Sequence, residues 1–229
     1  IRTGKVPEAA CLEGGFELTL QDGHTLPAPK LLLATGVIDN EPKLPAFFQS
    51  VRRGLIRICP ICDGYEVSGQ AVGVIGDSDK GAREAIFLRA FTDRLTLIHV
   101  GDAALSDEAC AGLAEAGVEL VAMPIDDIVV EHDRIVALCF DGKAERRFDA
   151  VYSALGTTPR WRLAEQLGAE LDDDGRLKVG PHQETSVKGL YAAGDVVRGL
   201  NQISVAQAEA AIAAVDIHNR LNAEGRRPF

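Results

Sequence analysis

Cys59 and Cys62 stand two residues apart in the run Cys59-Pro60-Ile61-Cys62-Asp63-Gly64. That spacing serves three chemistries: half of a tetrahedral metal site, a structural disulfide, or a redox pair that opens and closes. A zinc site needs two further Cys or His ligands at short spacing. Here the other cysteines, Cys11, Cys110 and Cys139, are scattered, and the five histidines are spread singly. A structural disulfide suits an oxidising compartment. The neighbours favour the redox pair. Thiol–disulfide exchange needs an attacking and a leaving thiolate, and Asp63 puts a proton carrier directly after Cys62. The same carboxylate can cap a helix or turn, and the two roles are compatible. Pro60 narrows the local backbone, and Gly64 reads as the residue that permits a tight turn beside the pair. The three scattered cysteines read as buried thiols that pack like small hydrophobes.

A second constellation follows at Gly76-Asp77-Ser78-Asp79-Lys80-Gly81-Ala82. An apolar run precedes it and a helical pattern follows, which is the context of a G-x-G-x-x-G/A dinucleotide turn. Gly76 makes the tight turn and Gly81 lets helix and strand pack closely. Ser78 stands where a middle glycine would let the backbone approach a pyrophosphate. Asp77 and Asp79 place negative charge where a diphosphate would meet the helix N-terminus.

The elements that must hold these residues fall into two patterns. Residues 16–20 alternate, Asp22-Gly23 signals a turn, and 31–34 is a short apolar strand running into Thr35-Gly36. From residue 71 onward, strands at 71–75, 95–100 and 118–122 alternate with helices at 80–91 and 107–116, the grammar of a parallel sheet. Residues 128–130 and 135–140 flank the turn Asp133-Arg134 as an inserted hairpin, and 150–154 closes the unit. A strand at 189–192 and a helix over 204–221 end the chain. Pro42 and Pro45 mark one crossing between domains, and Gly156-Thr157-Thr158-Pro159 the other, so one domain is expected inside another. A net charge of −10 over 229 residues argues against a nucleic-acid partner. No apolar run reaches the length of a spanning helix, and with no signal-peptide pattern at Ile1 the expected location is cytoplasmic.

The Cys-x-x-Cys-Asp-Gly run, a short linker and then strand–Gly–helix resemble the low-molecular-weight thioredoxin reductase family, FAD-dependent pyridine nucleotide-disulfide oxidoreductases. Extended to Tyr65-Glu66, the run is also similar to a branch that includes small-molecule dithiol oxidases. The likeness covers essentially the whole chain, from Leu32-Leu33-Ala34-Thr35-Gly36 to the terminal helix. It implies an α/β fold of two Rossmann-like dinucleotide-binding domains of the three-layer ββα type. The FAD-binding domain would comprise 1–42 and 156–229, and the pyridine-nucleotide-binding domain, carrying the cysteine pair, 43–155.

The resemblance also implies site residues. Thr185-Ser186-Val187-Lys188-Gly189-Leu190-Tyr191-Ala192-Ala193-Gly194-Asp195-Val196 resembles the family's second flavin motif, in which Gly194 admits the backbone and Asp195 binds the ribityl and phosphate region. Gln202 and Ile203 match the helix start that faces the flavin's N1/O2 edge, while Asn201 stands where an arginine is common. Thr35 and Gly36 complete the FAD set; Gly76, Asp77, Ser78 and Gly81 form the nucleotide set. Cys62 would face the flavin, Cys59 attack the partner disulfide, and Asp63 act as acid/base.

Two departures matter. The family's His-Arg-Arg that holds the NADP 2′-phosphate is here His99-Val100-Gly101, so NADPH and NADH are both open as donor; His99 itself reads as a strand-end surface residue. The family's first FAD motif, part of a unit of at least about 30 residues, has no counterpart ahead of Thr35-Gly36. The leading expectation is a homodimeric flavoprotein that passes electrons from a nicotinamide through FAD to the Cys59–Cys62 disulfide. The acceptor would be a thioredoxin-like protein or a small-molecule disulfide. The alternatives are an oxygen-dependent dithiol oxidase and a non-catalytic redox sensor.

Overall fold

The computed structural model describes residues 3–42, 47–123, 125–131, 134–140 and 144–226. Pro45 and Asp133, read above as parts of a crossing and a turn, lie outside the described residues. The chain forms two compact units, Ile1–Ile38 with Thr158–Phe229 and, inserted between them, Asp39–Thr157. The first boundary falls ahead of Pro42 because Asn40 is tied into the inserted unit. Its backbone N–H donates to the Gly156 carbonyl and its side-chain amide to that of Leu155.

The inserted unit is built on five parallel strands, in the order Ile56–Arg57, Ala150–Ala154, Val72–Gly76, Leu95–His99 and Glu119–Val121. Every residue of the three central strands is buried, which requires cover on both faces. On one face, the helix Asp79–Leu88 presents Ala82, Ala85 and Leu88 to Val72, Val74, Leu97 and Tyr152. On the other, Leu138, Phe140 and Phe148 pack on Ile75, Ile98 and Val151. Each fully buried Val, Leu or Ile contributes about 1.5–3 kcal/mol, so residues 72–76 and 95–99 anchor this Rossmann-like, three-layer arrangement. The region read as a hairpin has three antiparallel strands, Ile125–Glu131, Arg134–Phe140 and Ala144–Arg147. The third is too short and too charged to stand out by pattern.

The other unit begins with an antiparallel meander of Glu8–Leu12, Gly15–Thr19 and Thr25–Ala28. Leu31–Leu33 then pairs in parallel with Leu190–Ala192. The core here joins Phe16, Leu33, Leu177, Leu190 and Val196. A long helix, Ile203–Ala223, ends the described chain. Among the described residues no helix is long and apolar enough to cross a membrane.

The scattered cysteines are not buried as expected. Cys11 is exposed, and Cys110 and Cys139 are half-buried. Cys11 sits in the meander strand Glu8–Leu12, where only Ala9 is buried; the burial tendency of cysteine yields to a strand with one thin buried position.

Candidate functional site

The edge strand Ile56–Arg57 delivers the chain into Cys59, where the short helix Pro60–Asp63 begins. Proline at the first helical position loses nothing, because that N–H has no partner inside the helix. The Cys59 carbonyl accepts the N–H of Cys62 at 2.9 Å. This single turn brings the two Cα atoms to 5.3 Å, and the sulfurs are joined in a disulfide. Cys62 is exposed and Cys59 half-buried.

Asp63 makes no cap with its side chain. Its Oδ1 accepts the Tyr152 hydroxyl at 2.6 Å, and its Oδ2 lies 3.0 Å from Arg57 Nη1. Arg57 also reaches Glu66 at 2.8 Å. Burial, and after it the hydrogen bond to Asp63, push the Tyr152 phenol well above its ordinary value.

Gly64 is glycine for a reason other than turn freedom. Its φ of −58° is open to any residue, but an added Cβ would lie 2.7 Å from Phe91 Cε2. Gly64→Ala is therefore expected to cost about 1–2 kcal/mol through overpacking, read as a lower denaturant midpoint. Trimming the ring in a Phe91→Leu background should recover part of that loss.

The glycines of the second constellation face each other. A Cβ on Gly81 would come within 2.8 Å of Gly76 Cα and 3.2 Å of the Ala154 oxygen. These are backbone atoms that cannot move aside, so helix Asp79–Leu88 meets the sheet where no side chain fits. Ser78 is extended before the helix, and its hydroxyl donates to Asp77 Oδ1. Asp79 accepts the Ser106 N–H at 3.0 Å, which holds its carboxyl below the usual range.

His99 is not on the surface: it is 9% exposed, with Nε2 2.8 Å from the Ala103 carbonyl. The loop after the strand turns back over the ring. A Cβ on Gly101 would overlap the Asp77 carbonyl oxygen, so the loop at 101 presses on the 76–79 turn and only glycine fits there.

In the other unit, the paired strands Leu31–Leu33 and Leu190–Ala192 release two loops at the same edge, Thr35-Gly36 and Gly194-Asp195. Ligands of open α/β sheets gather at such carboxyl ends. The Thr35 hydroxyl donates to the Arg160 carbonyl at 2.7 Å, and Gly36 has φ +67°. Gly194 has φ +80°, and a Cβ there would lie 3.3 Å from that of Ala206. Its N–H donates to Glu209 Oε2 at 2.8 Å, and Glu209 Oε1 is 2.6 Å from Arg198 Nε. Arg176 Nη1 donates to the Asp195 carbonyl. Gln202 is the N-cap of helix Ile203–Ala223, and Ile203 is 79% exposed. Asn201 has φ +49°, and its buried Oδ1 has no hydrogen-bond partner among the described residues.

The structure thus groups Cys59, Cys62 and Asp63, groups Gly76, Asp77, Ser78 and Gly81, and places Thr35 and Gly36 beside Gly194 and Asp195. Sequence reasoning missed Arg57, Tyr152, Arg176, Arg198 and Glu209. Two of them left a trace: Tyr152 is the one aromatic in a strand of otherwise small residues, and Glu209 is the one acid in the Ala-rich first half of the helix Ile203–Ala223.

These motifs have relatives. Residues 5–210 match the family described as pyridine nucleotide-disulphide oxidoreductase. The chain belongs to this family. Among its relatives, the thioredoxin reductase tcpT of Claviceps purpurea is 32% identical over 188 residues, 79% of this chain and 58% of that protein. The thioredoxin reductase of Treponema pallidum is 29% identical over 207 residues, 87% of this chain and 66% of that protein. The chain therefore spans under two thirds of the length of these curated relatives. Among solved structures, that of HlmI matches with a TM-score of 0.86 at 27% identity, covering 97% of this chain and 70% of that one.

Proposed function

We propose that this chain serves a thioredoxin-reductase-like flavoenzyme in which the Cys59–Cys62 disulfide is the exchange centre. The observation that carries the reading is a closed disulfide followed at once by a carboxylate held from two sides, by Tyr152 and Arg57. In this reading Cys59 attacks the disulfide of a thioredoxin-like protein or a small molecule, Cys62 resolves the mixed disulfide, and Asp63 carries the proton.

The residues present fit a flavin. Gly194 lacks a side chain that would block close approach, Asn201 Oδ1 is a buried acceptor without a partner among the described residues, and Gln202 and Ile203 begin a long helix. Thr35, Gly36 and Asp195 complete that edge. A bound flavin supplies reversible two-electron chemistry to a disulfide, and a nicotinamide nucleotide supplies the reducing equivalents. Helix-end N–H donors would favour negative charge on such a group, and by the family resemblance Asp195 would hold its ribityl chain.

For the nucleotide, Gly76 and Gly81 fit the close packing of such a turn, while the strand end does not fit a 2′-phosphate. His99 is buried and pinned to Ala103, and position 101 admits only glycine. The preferred donor in this reading lacks that phosphate. NADH is expected to give kcat/KM at least equal to that of NADPH in reduction of a disulfide dye; a tenfold preference for NADPH would overturn this. Gly101→Arg should fail to create NADPH use and should weaken the fold instead.

Asp77 and Asp79 at the turn favour a second reading, an oxidase that makes a disulfide in a small-molecule dithiol and passes the electrons to oxygen. Anaerobic disulfide reduction by NADH or NADPH supports the first reading. Failure with both donors, together with oxygen-dependent dithiol oxidation, supports the second.

A further inference from the structure

We infer that the Tyr152 hydroxyl positions the Asp63 carboxylate for proton transfer at Cys62, an assignment that rests on the exchange chemistry proposed above. Tyr152 lies mid-strand with no exposed surface, packed among Val67, Val72, Val74 and Ala154. A phenylalanine would fill that core equally well. What tyrosine adds is a hydroxyl, and a buried hydroxyl needs a partner. Its partner is Asp63 Oδ1, 2.6 Å away and 89 residues distant in sequence. Arg57, the register partner of Tyr152 on the adjoining strand, takes the other carboxylate oxygen at 3.0 Å.

A carboxylate held at both oxygens from the sheet takes its orientation from the sheet. The four-residue helix Pro60–Asp63 has no buried residue of its own to fix it. The groups that face Asp63 are Tyr152 from the strand Ala150–Ala154, Arg57 from the edge strand and, through Arg57, Glu66 from the short 3-10 turn Gly64–Val67. The raised phenol keeps Tyr152 a hydrogen-bond donor throughout the range in which thiols exchange.

The step that needs this orientation is the opening of the disulfide. An incoming thiolate attacks Cys59 Sγ, the Sγ–Sγ bond breaks, and Cys62 leaves as a thiolate that takes a proton by way of Asp63. The second thiol of a dithiol then displaces Cys59 from the mixed disulfide. In total the dithiol loses two electrons and two protons, and the pair gains both as two thiols.

The test uses the full-length protein, anaerobic, with dithiothreitol as reductant. Cys59–Cys62 opening is quenched by alkylation and counted by mass, a readout independent of any flavin turnover. Tyr152→Phe is expected to slow opening about tenfold and to give the pH–rate profile the shape of that of Asp63→Asn. In an Asp63→Asn background, Tyr152→Phe should have no further effect. Arg57→Gln, which leaves the core untouched, should alter the pH profile in the same way. The inference is overturned if Tyr152→Phe and Arg57→Gln both react like the parent, or if Tyr152→Phe slows the Asp63→Asn protein by the same factor, the mark of a general packing effect. An Asp63→Asn protein that reacts like the parent would instead remove Asp63 from the proposed chemistry, and the inference with it.

Discussion

Serine in place of Cys59 or Cys62 is expected to lower thiol–disulfide turnover by on the order of 10³-fold or more, with the fold intact. Exchange requires sulfur at both positions, one to attack and one to resolve, and a serine hydroxyl neither ionises nor leaves at neutral pH. The two variants should differ in kind. With Cys62→Ser, Cys59 can still join a disulfide dye but cannot be released, so a stable adduct should appear by mass. With Cys59→Ser, the exposed Cys62 should react slowly and without selectivity for dithiols. The fold should survive because the disulfide closes a loop of only four residues, 59–62, for which loop-closure entropy allows about 2 kcal/mol at most. If both variants retained turnover, the pair would be structural and the proposed function would fall.

Glu209→Ala is expected to destabilise the unit that contains it by about 1–3 kcal/mol, the cost of leaving a buried N–H without an acceptor. Glu209 is 4% exposed, and its two oxygens bridge the Gly194 N–H and Arg198. Alanine leaves the Gly194 N–H buried without a partner and frees the loop that carries Asp195. Two measurements check it: the denaturant midpoint, and the flavin-to-protein ratio of the purified full-length protein, which should fall with it. Glu209→Gln keeps an acceptor for Gly194 and loses the ion pair with Arg198. That pair is largely exposed on the arginine side and worth little, so the glutamine variant should lie close to the parent.

Gly64, Gly81 and His99 mark how far local pattern reaches. Gly81 was readable because a strand–turn–helix repeats its geometry wherever it occurs, and the close approach to Gly76 follows from that geometry. Gly64 looked like a turn glycine, yet its backbone is ordinary and its reason is the ring of Phe91, brought in from the end of another helix. His99 looked like a surface residue at a strand end, and the loop carrying Ala103 closed over it. Cys11 is expected inside on its type; it shares its strand's face with Ala9, yet burial there reaches no further than Ala9 and the thiol is exposed. The strand Ala144–Arg147 is not legible in the sequence because its charges hide any period-two pattern.

What the sequence by itself determined is the short-range chemistry: two sulfurs one helical turn apart, a carboxylate beside them, and glycines where backbone must meet backbone. Those features live within a few bonds of one another, and their spacing survives in any fold that allows the local turn. Only the tertiary structure decided what holds the carboxylate. Tyr152 and Asp63 meet because the strand Ala150–Ala154 inserts between Ile56–Arg57 and Val72–Gly76. That strand order depends on how the chain crosses over between parallel strands and leaves no mark in the spacing of the residues it joins.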